Sequence, residues 1–126
     1  MRNFRNFKIW EEGIAIVKQV YNLSNSLPAE EKYGLRSQIC RSAVSIPSNI
    51  AEGCSRNSET DFKRFLEIAL GSSFELETQL YLIHELGFVP KNEVKSIIEF
   101  LHIEQKMINT LVSKLKANSQ KPKANS

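Results

Sequence analysis

Apolar residues in this chain recur at spacings of three and four along four separate stretches, and nowhere as a strict alternation. That period winds an apolar stripe along one face of an α-helix and gives no half-buried strand. The first stretch, about Phe7 to Asn25, carries Ile9, Ile16, Val20, Leu23 and Leu27. The second, about Leu35 to Cys54, carries Leu35, Ile39, Ala43, Ile46 and Ile50. The third runs from Ser58 to about Leu86 and carries Phe62, Phe65, Ala69, Ser73, Leu76, Leu80 and Ile83. The fourth opens at Pro90, carries Val94, Ile97, Ile98, Leu101, Ile108, Leu111 and Leu115, and fades near Lys116. Four long amphipathic segments with short connections predict an all-α fold, an antiparallel up-down-up-down four-helix bundle over residues 1–116. Residues 117–126 are polar and rich in Pro, Lys, Asn and Ser, and are expected to form a disordered basic tail.

The breaks between segments have local causes. Pro28 with Glu30 and Glu31 behind it suits the first turn of a short separate helix, and Tyr33-Gly34 leads into the second long one. Ser58, with Asp61 three residues on, has the pattern of an N-cap. Gly87 is placed to close the third helix from a left-handed backbone conformation. Pro47 is the exception, because it falls inside a helical stretch. There it removes a backbone hydrogen bond and crowds the preceding turn, at a cost of ~3 kcal/mol unless relieved. A kink or a locally tightened turn is expected, eased by Ser42, Ser45 and Ser48 bonding back to backbone carbonyls.

Two helices carry more apolar surface than one bundle needs. The third has a second stripe of Leu70, Phe74, Tyr81 and Phe88, and the first has Trp10, Ile14, Val17 and Tyr21. A bundle helix requires about three apolar positions in seven. Aromatic residues on a bundle's flank account for part of the excess. A face this wide points to a second copy of the chain, and so to a homo-oligomer.

Charge is distributed unevenly. The net charge is +3, but residues 1–10 hold Arg2, Arg5 and Lys8 without an acid. Residues 105–126 hold five lysines without an acid, while the segment between is net acidic. Basic ends on a mildly acidic body suit a polyanionic partner, although lysines near a helix C-terminus also complement its dipole. Arg2, Arg5 and Lys8 alternate with Phe4, Phe7 and Trp10, which pairs charge with rings able to stack on bases. Arg56, Lys63 and Arg64 add a second basic group around the loop between the second and third helices. These six are the candidate nucleic-acid contacts. No sequence-reading motif accompanies them, so binding is expected to be non-specific or directed to structured RNA.

Several function classes find little support. No run of 18 apolar residues is present, so no membrane partner is expected. The N-terminal residues lack the apolar core of a signal peptide, which points to a cytoplasmic protein. Cys40 and Cys54 are too few for a disulfide scaffold and lack metal-ligand spacing, so buried reduced thiols are expected. Glu99 and His102 have the Glu-x-x-His spacing of di-iron bundles, but the partner position, Tyr81 to His84, offers no carboxylate. No nucleophile motif occurs. No cofactor, metal or enzymatic activity is expected.

Gln38, Arg41, Ser45, Asn49 and Glu52 share a polar face of the second helix. The third helix offers Ala69, Gly71, Ser72 and Ser73, then Glu75 and Glu77. Small residues on both allow close approach, with Arg41 placed to pair with Glu75 or Glu77. Arg41, Ser45, Asn49, Glu52, Glu75 and Glu77 are read as a structural polar layer that fixes register beside Pro47.

At these residues the chain resembles a known family. The stretches that carry the resemblance are Phe4 through Trp10, Tyr33-Gly34-Leu35, Ser45 through Gly53 (Ser-Ile-Pro-Ser-Asn-Ile-Ala-Glu-Gly), Ala69-Leu70-Gly71-Ser72 and Glu75 through Leu80. They resemble the four-helix bundle proteins encoded in intervening sequences of bacterial 23S ribosomal RNA genes, over about residues 4–116. Cys40 and Ser42 depart from that pattern, standing where a basic residue and an alanine are common. The resemblance implies a homopentameric ring. It also implies similarity to the accessory subunit of diversity-generating retroelements, which binds nucleic acid and a reverse transcriptase. The expected function is therefore a non-enzymatic oligomer that binds RNA or DNA. The alternative is a scaffold for a protein partner such as a reverse transcriptase, without nucleic-acid contact.

Overall fold

The computed structural model describes residues 1–120. Among these residues there are four α-helices and no strand: α1 (Lys8–Ser24), α2 (Leu35–Cys54), α3 (Glu59–Glu85) and α4 (Lys91–Gln120). Single 3-10 turns at Phe4–Asn6 and Ala29–Glu31 precede α1 and α2. Each helix packs on its sequence neighbour, and α1 also packs on α4, closing the bundle. No described helix is long and apolar enough to cross a membrane.

The expected stripes form the core. Ile16, Val20, Ile39, Ile46, Ile50, Leu66, Leu76, Leu80, Ile83, Leu101 and Ile108 are fully enclosed. Each such side chain contributes roughly 1.5–3 kcal/mol by leaving water. In α4 Val112 is buried, with Leu111 only half-buried against the core. Helix ends follow the expected chemistry. Asp61 N–H donates to Ser58 Oγ at 3.1 Å, capping α3. Gly87 has φ +79°, and the N–H groups of Gly87 and Phe88 donate to the carbonyls of His84 and Ile83. That pair of bonds is a Schellman closure, which an L side chain at Gly87 would strain. At α2 the cap is Glu31, whose Oε1 accepts from Leu35 N–H at 3.0 Å.

Three expectations are corrected: those for residues 117–120, for the serines beside Pro47 and for Cys40. α4 continues to Gln120, five residues past Leu115 at the end of its apolar stripe, so residues 117–120 are helical rather than disordered. The remainder of that expected tail, 121–126, lies outside the described residues. Pro47 lies inside α2 without ending it. Neither Ser42 nor Ser45 bonds back to a carbonyl of its own helix; their hydroxyls reach across to α3, and it is Asn49 Nδ2 that donates to the Ser45 carbonyl at 2.8 Å. Cys54 is buried as expected, whereas Cys40 is only half-buried; both are free thiols.

Candidate nucleic-acid interface

The chain before α1 is pinned to the far end of α2. Arg2 N–H donates to the Cys54 carbonyl at 2.9 Å, and Arg2 Nη1 donates to the Arg56 carbonyl at 3.2 Å. Asn3 Oδ1 caps the 3-10 turn by accepting from Arg5 N–H. This folding brings together two groups of residues more than fifty positions apart in sequence. The Arg2 guanidinium lies 4.2 Å from the centroid of the Phe62 ring, and that of Arg5 lies 4.5 Å from Phe4. Arg56 and Arg64 approach Phe65, at 4.8 and 5.2 Å. Phe4 packs on Trp10 and Phe7 packs edge-on against Phe62, at centroid distances of 5.1 and 5.8 Å. One end of the bundle is thus an aromatic base carrying four guanidinium groups.

Ring quadrupoles attract these cations without neutralising them, so their charge remains available to a further anion. Arg56 is partly committed, since its Nη2 lies 3.1 Å from Glu52 Oε1. Among the described residues no carboxylate lies within 4 Å of Arg2, Arg5 or Arg64. Of the six expected contacts, Lys8 and Lys63 take part in none of these interactions. Phe62 and Phe65 are buried with the core, so the rings serve first as packing and only their arginine-covered faces belong to the surface. Cys54 sits beneath this cluster; burial raises its thiol pKa, and nearby Arg2 partly offsets that. A thiol held protonated is a packing group rather than a nucleophile.

Of the residues expected in a polar layer, Ser45 and Glu75 make contacts between α2 and α3, and Asn49 bonds to Ser45. Ser42 Oγ donates to Glu75 Oε1 at 2.9 Å, Ser45 and Ser72 hydroxyls meet at 2.8 Å, and Gln79 Nε2 reaches Glu75 at 3.3 Å. Asn49 bonds both the carbonyl and the hydroxyl of Ser45. The other expected members lie elsewhere. Arg41 makes no pair with Glu75 or Glu77; its nearest polar contact is Ser37 Oγ at 3.5 Å on its own helix. Glu52 faces Arg56, and Glu77 faces α4, where His102 Nε2 and Gln105 Nε2 meet it at 3.1 and 2.9 Å. Burial alone would raise the Glu77 pKa, but hydrogen bonds from Gln105, His102 and Tyr81, with the charge interaction with His102, outweigh it and hold the carboxyl below its ordinary range. His102 is therefore engaged with Glu77 rather than grouped with Glu99. Among the described residues no three His, Cys, Asp or Glu side chains converge as a metal site.

One buried polar residue escapes the sequence reading altogether. Glu104 is 0% exposed, and neither carboxyl oxygen has a hydrogen-bond partner among the described residues. A methyl group on Gly13 would stand 3.2 Å from Glu104 Oε2 and 3.3 Å from Pro47 Cβ. The bare backbone of α1 thus admits a carboxyl from α4 and a proline ring from α2 at one level of the core. Burial, reinforced by the neighbouring Glu12 charge, pushes the Glu104 pKa up to about 8. The signal was present as a gap: between Leu101 and Ile108 the α4 stripe passes through position 104, and the α1 stripe between Ile9 and Ile16 passes through Gly13.

Comparison with known proteins bears on the fold and its family. Residues 5–110 match the family model described as 23S rRNA-intervening sequence protein. A crystal structure from Bacteroides thetaiotaomicron, described as a protein with unknown function from the S23 ribosomal protein family, superimposes with a TM-score of 0.77 at 26% identity. The alignment covers 83% of this chain and 95% of that one. No curated protein matches this chain.

Proposed function

The chain belongs to the 23S rRNA-intervening sequence protein family, and on that premise we propose that it is a non-enzymatic, homopentameric nucleic-acid-binding protein of the cytoplasm. The observation that carries the reading is the arginine-covered aromatic end of the bundle. Among the described residues Arg2, Arg5 and Arg64 there meet no carboxylate, and five copies in a ring would repeat the patch five times. Weak phosphate contacts repeated on one particle raise avidity without any single strong site. An antiparallel course of the helices is supported by the pairings Ser42–Glu75 and Ser45–Ser72, in which residue numbers rise along α2 as they fall along α3.

Self-association is supported by apolar surface left uncovered on α3 and α4. Phe74 is 53% exposed, and Tyr81, Leu82, Phe100 and Ile103 are also exposed. Phe74 and Ile103 line one shallow groove with Leu70. Free thiols at Cys40 and Cys54 suit a reducing compartment. The same apolar face supports a second reading, a scaffold that docks a protein partner without touching nucleic acid.

The test is a double variant, Arg5→Gln with Arg64→Gln, titrated with a labelled single-stranded oligonucleotide over a range of salt. Loss of two phosphate contacts should weaken binding and flatten the slope of log K against log salt by about 1.4. Unchanged affinity and slope would remove this end of the bundle from the interface.

A further inference from the structure

A second groove pairs cations with aromatic rings, at the opposite end of α2 from the N-terminal cluster. It lies between the last turn of α1 and the first half of α2, with a volume of about 780 Å³. Lys32, Arg36 and Arg41 supply charge, Tyr21 and Tyr33 supply rings, and Cys40 lies between them. No carboxylate lines it, and among the described residues none lies within 4 Å of its three cations. Glu31, next to Lys32 in sequence, does not line the groove, and its Oε1 accepts the Leu35 N–H at 3.0 Å.

The cations meet only weak neutral partners. Arg36 Nη2 lies 3.4 Å from Asn25 Oδ1, and Arg41 Nη2 lies 3.5 Å from Ser37 Oγ. Tyr33 is 88% exposed, and the Lys32 ammonium stands 5.4 Å from its ring centroid. Tyr21 is exposed on the α1 side. A ring this open contributes nothing to the core, and it hinders rather than helps solubility. A base offers a flat face to such rings while its phosphates lie within reach of the cations, whereas an acidic peptide would use the charges and leave the rings unoccupied.

We propose that the groove formed by Tyr21, Lys32, Tyr33, Arg36 and Arg41 binds single-stranded nucleic acid, with a base on Tyr33 and phosphates on the two arginines and the lysine. This inference rests on the nucleic-acid reading above and adds a site distinct from the arginine-covered end. A duplex keeps its bases stacked internally, so the tyrosines select unpaired strands. α2 has 20 residues and a length of about 30 Å, so a strand spanning both ends needs several nucleotides.

The test uses the full chain with labelled 12-nucleotide single-stranded RNA, the same DNA, and a duplex of that sequence. Tyr33→Ala should weaken single-strand binding about tenfold and leave duplex binding unchanged. Arg36→Gln with Arg41→Gln should weaken binding to all three and reduce the single-strand salt slope by about 1.4. Photocrosslinking of a 5-iodouridine-bearing strand should label Tyr33 or Tyr21, with circular dichroism confirming that each variant is folded. A preference for RNA over DNA that is lost in Tyr33→Ala or in Arg36→Gln with Arg41→Gln supports the site by placing a 2′-hydroxyl contact in the groove. If these variants bind like the parent while Arg5→Gln with Arg64→Gln does not, the groove is overturned and the nucleic-acid reading survives. If the unaltered protein binds none of the three probes, both fall together.

Discussion

Folded Glu104 keeps its proton to about pH 8, against about 4.5 for an unperturbed glutamate. The folded chain therefore holds one more proton than the unfolded chain between those values. The stability linked to that proton is fully present below about pH 4.5 and is lost as pH rises through 8, by roughly 5 kcal/mol in all. Glu104→Gln has nearly the same shape and no charge to desolvate. It should match the parent in denaturant stability near pH 4.5 and exceed it by a few kcal/mol at pH 8. Difference curves that stay flat across this range would show that Glu104 ionises freely in the fold. This residue was hard to read in advance because an acid in a core register looks like a missed period until Gly13 and Pro47 are seen beside it. Arg41 illustrates the opposite error: its helical face was legible, but a long side chain at that position reaches Ser37 on its own helix as readily as an acid on the next.

At the scale of elements, helix positions and ends were largely legible, because period, Ser58, Gly87 and Pro28 are local signals. The seam between α2 and α3 was legible only as a tendency to small residues. Its tight point is Gly53, where an added Cβ would meet Phe65 Cβ at 2.9 Å. Helix propensity favours Gly53→Ala by about 1 kcal/mol. Overpacking costs about 1–3 kcal/mol, and here the obstacle is a Cβ atom that cannot rotate away. A net loss of stability, read as a lower melting temperature, is expected. Gly71 has no atom within 4 Å of its would-be Cβ, so Gly71→Ala should raise stability by up to about 1 kcal/mol. Equal effects at both positions would mean that the two helices are not held as closely at Gly53 as the packing indicates. The candidate arginine sites follow the same division. Arg2, Arg5, Arg56 and Arg64 were legible as basic groups, but the meeting of Arg2, Arg56 and Arg64 around Phe62 and Phe65, with Arg5 on Phe4 beside them, depends on the tie between Arg2 and Cys54, which no local pattern announces.

For the whole molecule, the broad second stripe of α3 was legible, and Phe74 and Tyr81 are indeed left open, while Leu70 and Phe88 pack partly against the core. Phe100 and Ile103 extend that surface onto α4. Charges placed there by Phe74→Asp with Ile103→Asp should dissociate an oligomer into folded single chains, with helical content retained and mass reduced on light scattering. A variant of parental mass would move the self-association surface elsewhere. The central proposal is that the protein is a ring-shaped polyanion platform, and its most direct test is light-scattering mass measured together with RNA and DNA binding across a salt series. A particle of about five chains whose affinity falls steeply with salt is the expected result. A single chain, or an oligomer indifferent to both nucleic acids at low salt, would contradict it.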